Sequence, residues 1–336
     1  MKIVKVSLFA LLAMVLAIGG VFAGGGQQGG TSGGKVAVTF AGTEGATSGQ
    51  SRMMQEVADT LNATGRFDVK VYVAGALPGD TDNLVTQARL GVNLVVPSDP
   101  GRLASQFNIP DLNILMAPYV LTDYKLLEKL PQTALYKGWQ AELEKQGLVL
   151  IADMFNGFRS FYTIKPVSKV ADLSGLRLRG FGNAIGQALA KYLGYAQTTV
   201  NATDIYAGVQ SKTLDGCEIQ ASTADSYRLY EVTPYLALTK HYMLQSSFVC
   251  GKALLDGMPA ADRELFVKTV YDAAAKYSAI IAQEEQGYYD GFKTKGITVT
   301  EVDLAEFQKA IDPLYTNNDL KLTTGLKETL FRELGL

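Results

Sequence analysis

Between Val36 and Val96 the chain changes hydrophobic period four times, and that alternation narrows the folds open to it. Val36-Ala37-Val38-Thr39-Phe40 reads as a strand. After a turn rich in Gly, Thr and Ser, the residues Met53, Met54, Val57, Ala58 and Leu61 recur at helical spacing. They predict an amphipathic helix, closed by Gly65. Val69, Val71 and Val73 alternate with Asp68, Lys70 and Tyr72, the pattern of a strand buried on one face. A second helix is predicted over about 82–90. Leu94-Val95-Val96 follows as a short buried strand that runs out at Pro97-Ser98-Asp99-Pro100. Strand–helix alternation of this kind argues an α/β sandwich with a mostly parallel sheet.

The rest of the chain continues the theme. Residues 142–146 help form a helix, and 148–152 form a strand. Residues 161–164 and 176–178 read as strands of a second sheet, 183–193 as a helix, and 217–219 and 247–250 as further strands. From Pro259 to about Lys293 one helical pattern carries Leu265, Phe266, Val270, Tyr277, Ile280 and Ile281. Unbroken, it would be about 50 Å long, and Gly287 and Gly291 are the places where it could kink or end.

A length of 336 residues suits two domains of ordinary size, and 47% apolar with 19% charged residues suits a globular protein. With a net charge of −2 and no basic patch, nucleic acid is excluded as a partner. Residues 1–23 have the form of a signal peptide: Lys2 and Lys5, an apolar stretch, then Val21-Phe22-Ala23. Export to the periplasm with cleavage is the expectation, and an uncleaved signal anchor is the alternative. Residues 24–34 are a glycine-rich flexible tether. In an oxidising compartment Cys217 and Cys250 could pair, or stay free as small buried hydrophobes.

Two arginines stand out, Arg159 in Asn156-Gly157-Phe158-Arg159 and Arg179 in Gly175-Leu176-Arg177-Leu178-Arg179. Each lies at the edge of a strand-like run, where a side chain can reach a cleft. A guanidinium fork matches a carboxylate with two parallel hydrogen bonds. The motifs continue in order through Leu193-Gly194, Asp204-Ile205-Tyr206, Asp215-Gly216-Cys217-Glu218, Tyr230-Glu231-Val232 and Thr239-Lys240-His241. This series closely resembles the solute-binding proteins of tripartite ATP-independent periplasmic (TRAP) transporters, the DctP-like family. The likeness runs from about Val36 to the C-terminus.

The resemblance implies an α/β, two-domain periplasmic-binding-protein-like fold with interleaved domains, a hinged cleft and a long domain-spanning helix. One domain takes 35–156 plus 245–284, the other 157–244 plus 285–336, with hinge crossings near 156 and 244. It implies a receptor rather than an enzyme, no cofactor, a small carboxylate ligand, and as partners the small and large integral membrane subunits of a TRAP permease. Arg179 is the implied carboxylate anchor. Arg159 either touches the ligand or orients Arg179. Asp99 and Arg102 match an acid and a base that line the cleft in relatives, although a local ion pair is the plainer reading. Thr43 follows the first strand where relatives place a small polar contact.

Ile219 departs from the family pattern, which has a ligand-bonding asparagine there; isoleucine offers no side-chain hydrogen bond. With Ala202 replacing an aromatic, this suggests a more apolar acid than a sugar acid. Gly180-Phe181-Gly182-Asn183-Ala184-Ile185-Gly186 lacks the spacing of a dinucleotide fingerprint and reads as a bend where backbone meets ligand, with Phe181 as an apolar wall. His241, the single histidine, reads as structural. An ABC-type receptor and a periplasmic enzyme on organic acids are the competing readings. No nucleophile and base are seen together to support the latter.

Overall fold

The computed structural model describes residues 34–336, so the expected signal peptide and most of the expected tether (1–33) lie outside the described residues. The predicted opening alternation is present. Strand β1 (Val36–Ala41) leads to helix α1 (Gly49–Ala63), β2 (Phe67–Tyr72), α2 (Thr81–Arg89) and β3 (Leu94–Ser98). Ser48 caps α1 by accepting from the Ser51 amide, and Met53, Met54, Val57, Ala58 and Leu61 are its buried stripe. Pro97 does not end β3, which continues to Ser98. Helix α3 (Pro100–Gln106) then starts on an Asp99 cap with proline in its first turn.

The helix expected at 142–146 begins earlier, as α4 (Ala134–Lys145). It hands over to β4 (Leu148–Thr163), sixteen residues that run straight through Arg159. β5 (Arg177–Arg179), helix α5 (Ala184–Leu193), β6 (Ala196–Thr198) and β7 (Gly216–Gln220) follow. After helix α6 (Ala221–Ser226) comes β8 (Tyr235–Gly251), seventeen residues antiparallel to β4. β9 (Thr298–Glu301) adds to β8.

The expected second sheet is not separate. Among the described residues the strands form one sheet, in the order β2-β1-β3-β8-β4-β7-β5-β6 with β9 on β8. β4 and β8 are long enough to serve both halves, and this merges what local patterns divide. Their register slips between Phe155 and Phe158, leaving Asn156 and Gly157 as a bulge. Gly157 has φ +108°, and a Cβ there would lie 2.9 Å from the Gln220 Cβ, so only glycine suits the turn.

The long helix α7 (Ala260–Thr294) is continuous through Gly287 and Gly291; neither ends it. Phe266, Val270 and Ile281 pack in one hydrophobic cluster, and Tyr289 and Phe292 in the other. Between them α7 satisfies the backbone of the bulge. Ser278 Oγ accepts from the Phe155 amide at 2.9 Å and Glu285 Oε1 from the Phe158 amide at 2.8 Å. Residues Lys35–Leu336 hold together as one contact unit, because β4, β8 and α7 belong to both halves.

The cysteines are free and buried. Cys217 on β7 lies beside Tyr162 of β4, and Cys250 on β8 beside Val149. Thirteen residues of β4 separate those positions, about 40 Å. They share a sheet with β4 between their strands, and the disulfide alternative is geometrically excluded. No helix among the described residues is long and apolar enough to cross a membrane.

Candidate functional site

The ends of β1, β3, β5 and β7 and the bulged middle of β4 and β8 converge on a cleft of about 1080 Å³. Arg179, Arg159, Asp99, Arg102, Ile219, Phe181 and Thr43 all line it, so every site residue proposed from sequence is in one place. The parts they play differ.

Arg159 is committed to the protein. Nε and Nη2 donate to the Glu218 carboxylate and main-chain carbonyl, and Nη1 donates to Gln220 Oε1 at 2.9 Å. Both members of the ion pair are buried. Burial works against each charge, but the partners prevail: the Arg159 guanidinium is held above its usual range and the Glu218 carboxyl down to about 2. His241 stacks on Phe161, with centroids 4.8 Å apart, and its Nδ1 meets Thr239 Oγ1 at 2.8 Å. It is a buried structural group beside Glu218, with its pKa lowered by burial.

Arg179 is the opposite case. It is 5% exposed, and Nε donates to the Val200 carbonyl at 3.1 Å. Among the described residues it makes no ion pair, and burial, then the neighbouring Arg159, lowers its pKa from the usual arginine range. A buried guanidinium with its fork uncommitted, on the wall of a cleft, calls for an anion. Phe181 organises the wall: its ring centroid is 4.4 Å from the Arg159 Cζ and 5.3 Å from those of Arg179 and Arg102. Arg102 is taken up by Asp99 at 2.9 Å and Asp82 at 3.4 Å, the local ion pair that the plainer reading expected. Burial raises the Asp99 pKa even so. The Thr43 carbonyl accepts from the Tyr227 hydroxyl at 2.6 Å, tying the β1–α1 loop to the segment after α6.

Ile219 lines the cleft, whose lining is mixed. Gln50, Asn156, Asn183, Gln220, Gln245 and Ser246 face it as well, and sequence reasoning gave none of them a site role. They supply hydrogen-bonding groups that the suggestion of a more apolar acid, drawn from Ile219, left out of account. Glu44 was also missed. Its Oε1 accepts from Asn156 Nδ2 at 2.7 Å and from Gln220 Nε2 at 3.0 Å, and burial raises its pKa. A chain of side chains thus runs Arg159–Gln220–Glu44–Asn156. It links β7 to the loop after β1, a join that no local pattern announces.

A family model described as bacterial extracellular solute-binding protein, family 7 (DctP) matches residues 40–320. The chain belongs to the DctP family. The sialic acid-binding periplasmic protein SiaP of Vibrio cholerae is 26% identical over 265 residues, 78% of this chain and 82% of SiaP. The C4-dicarboxylate-binding periplasmic protein DctP of Rhodobacter capsulatus is 24% identical over 267 residues, 78% of this chain and 79% of that one. A TRAP periplasmic solute binding protein from Actinobacillus succinogenes, solved with bound L-galactonate, superposes with a TM-score of 0.84. It is 24% identical and covers 89% of this chain and 99% of its own. The two-domain fold of these DctP-family solute-binding proteins is the fold seen here, and the family consists of receptors for solutes.

Proposed function

We propose that this DctP-family chain is the exported solute receptor of a TRAP transporter, and that it captures a small organic acid by seating the carboxylate on Arg179. The observation that carries this is the buried Arg179 fork, without an acid partner among the described residues, on the wall of the cleft. The carboxylate binders among the relatives support it. Arg159, saturated by Glu218 and Gln220, is the positioning residue that holds Phe181 and the β4–β7 wall.

The lobes take 35–156 plus 245–284 and 157–244 plus 285–336. The bulge at Asn156 and Gly157 is where β4 bends as they close. The closed form docks on the small and large membrane subunits, and the solute is released there unchanged. Closure is limited by how much better the ligand binds the closed state than the open one.

The test is a thermal-shift screen of the mature protein against small organic acids, with Arg179→Ala alongside. A ligand at one hundred times its Kd adds about 2.7 kcal/mol. The expected result is a carboxylate hit that vanishes in the variant. Hits unchanged by Arg179→Ala would remove the anchor from the reading.

A further inference from the structure

The cleft carries buried polar groups of both hydrogen-bonding senses. After β5 come donors: the Arg179 fork and, four residues along, the Asn183 amide. Asn183 Oδ1 accepts from the Gly186 amide, which identifies Nδ2 as its other polar atom, buried and without a partner. At the hinge floor are acceptors. Asn156 spends Nδ2 on a carboxylate and Gln245 spends Nε2 on the Leu115 carbonyl, so in both the atom left over is the amide oxygen. Both oxygens are buried and unpartnered, and both residues line the cleft. Beside them lies Glu44, 8% exposed, with Oε1 taken up twice and Oε2 unpartnered.

Charge points the same way. Five acids line this cleft, Glu44, Asp80, Asp82, Asp99 and Asp204, against three arginines. Arg102 is engaged by Asp99 and Asp82, and Arg159 by Glu218, which leaves one guanidinium to receive an anion. Such a lining accommodates one ligand carboxylate and opposes a second.

We propose that Glu44 is a specificity-determining residue. It accepts a hydrogen bond from an O–H or N–H at the end of the ligand remote from the carboxylate, and it excludes a second carboxylate there. The cleft then takes donor-bearing monocarboxylates in preference to dicarboxylates. The proposal rests on the Arg179 reading above and adds the far end of the ligand to it.

The experiment is calorimetric titration of the mature protein with matched acids. Gluconate and glucarate share one skeleton, as do 4-hydroxybutyrate, 4-aminobutyrate and succinate. The expected result is that each dicarboxylate binds about 30-fold or more weakly than its donor-bearing counterpart, the effect of one charge-assisted contact. Glu44→Gln, which removes the charge and keeps an acceptor, should narrow that gap about tenfold. Loss of 4-aminobutyrate but not of the hydroxy acids in this variant identifies the donor as an ammonium; the reverse spread identifies a hydroxyl. A dicarboxylate that binds as tightly as its counterpart, or a gap untouched by Glu44→Gln, overturns the proposal. If binding in that case still requires Arg179, the receptor reading survives alone. If no acid binds, both fall. The melting temperature of empty Glu44→Gln reports its folding, and should it fail to fold, the wild-type pairs decide.

Discussion

Arg159 holds Glu218 twice, through the carboxylate by Nε and through the main-chain carbonyl by Nη2. The pair lies across β4 and β7 with both side chains buried. Removing one member strands the other charge in the interior, a loss of about 3–5 kcal/mol. Arg159→Ala should therefore lower the stability of the empty protein by that order. The double variant Arg159→Met with Glu218→Leu should recover most of it. Urea unfolding followed by circular dichroism measures both, and a double variant as unstable as the single one would contradict this account.

Arg179→Ala should behave differently. The arginine is buried and has no ion pair among the described residues, and burial works against its charged form, so the empty protein gains nothing from its charge. The expected melting temperature is unchanged or higher, while affinity for the acid falls about 30-fold to several thousand-fold. Opposite signs in stability and binding separate a binding arginine from a structural one. A destabilised Arg179→Ala would place it with Arg159.

Asn183 reaches Gly101 at the start of α3. A Cβ on Gly101 would stand 2.5 Å from Asn183 Nδ2, and one on Gly45 would stand 3.3 Å from the Ser226 side chain. Both contacts join the proposed lobes. Gly101→Ala should leave the fold intact but hinder closure, weakening ligand about tenfold or more, with Gly45→Ala milder. Small-angle scattering should show less compaction on ligand addition. A variant that compacts and binds like wild type would mean the side chains move aside.

The opening of the fold was legible because α1, β1, β2 and β3 carry their burial as local periods. The arginine motifs were legible as short strings. What escaped reading came from long-range register. Asn156-Gly157 looks like a strand end, yet β4 continues past it because α7 supplies Ser278 and Glu285 to the interrupted ladder. Gln245 joins the site only because it pairs with Phe155, ninety residues away. Glu44 sits in a turn that sequence reads as a connection, and Gln220, which gives it a partner, is 176 residues distant. Asn183 left a local trace, as the cap before the α5 pattern.

The buried carboxyl groups make opposite contributions as pH falls. The Glu218 pKa is depressed to about 2, so its stabilisation is complete above about pH 4.5, its ordinary value, and is lost as pH falls towards 2. Glu44 is raised by burial, so ionising it penalises the folded state at neutral pH, and the penalty is relieved as pH falls through its raised value to the ordinary one. Glu44→Gln should stabilise the empty protein at pH 8, and the gain should vanish below about pH 4. Melting temperatures of both proteins across this range measure it, and a gain that persists in acid would show that the effect is not one of ionisation.

Finally, both thiols should be inert while the protein is folded. Cys217 and Cys250 are buried, and burial pushes each thiol up to about 12. The attacking species is the thiolate, so little is available at neutral pH, and reagent has no route to it. A chromogenic disulfide reagent should find no reactive thiol in the native protein and both on denaturation. Because the two positions are about 40 Å apart along β4, reductant should leave the melting temperature unchanged. A reductant-sensitive melting temperature would require β4 and β8 to be paired in another register.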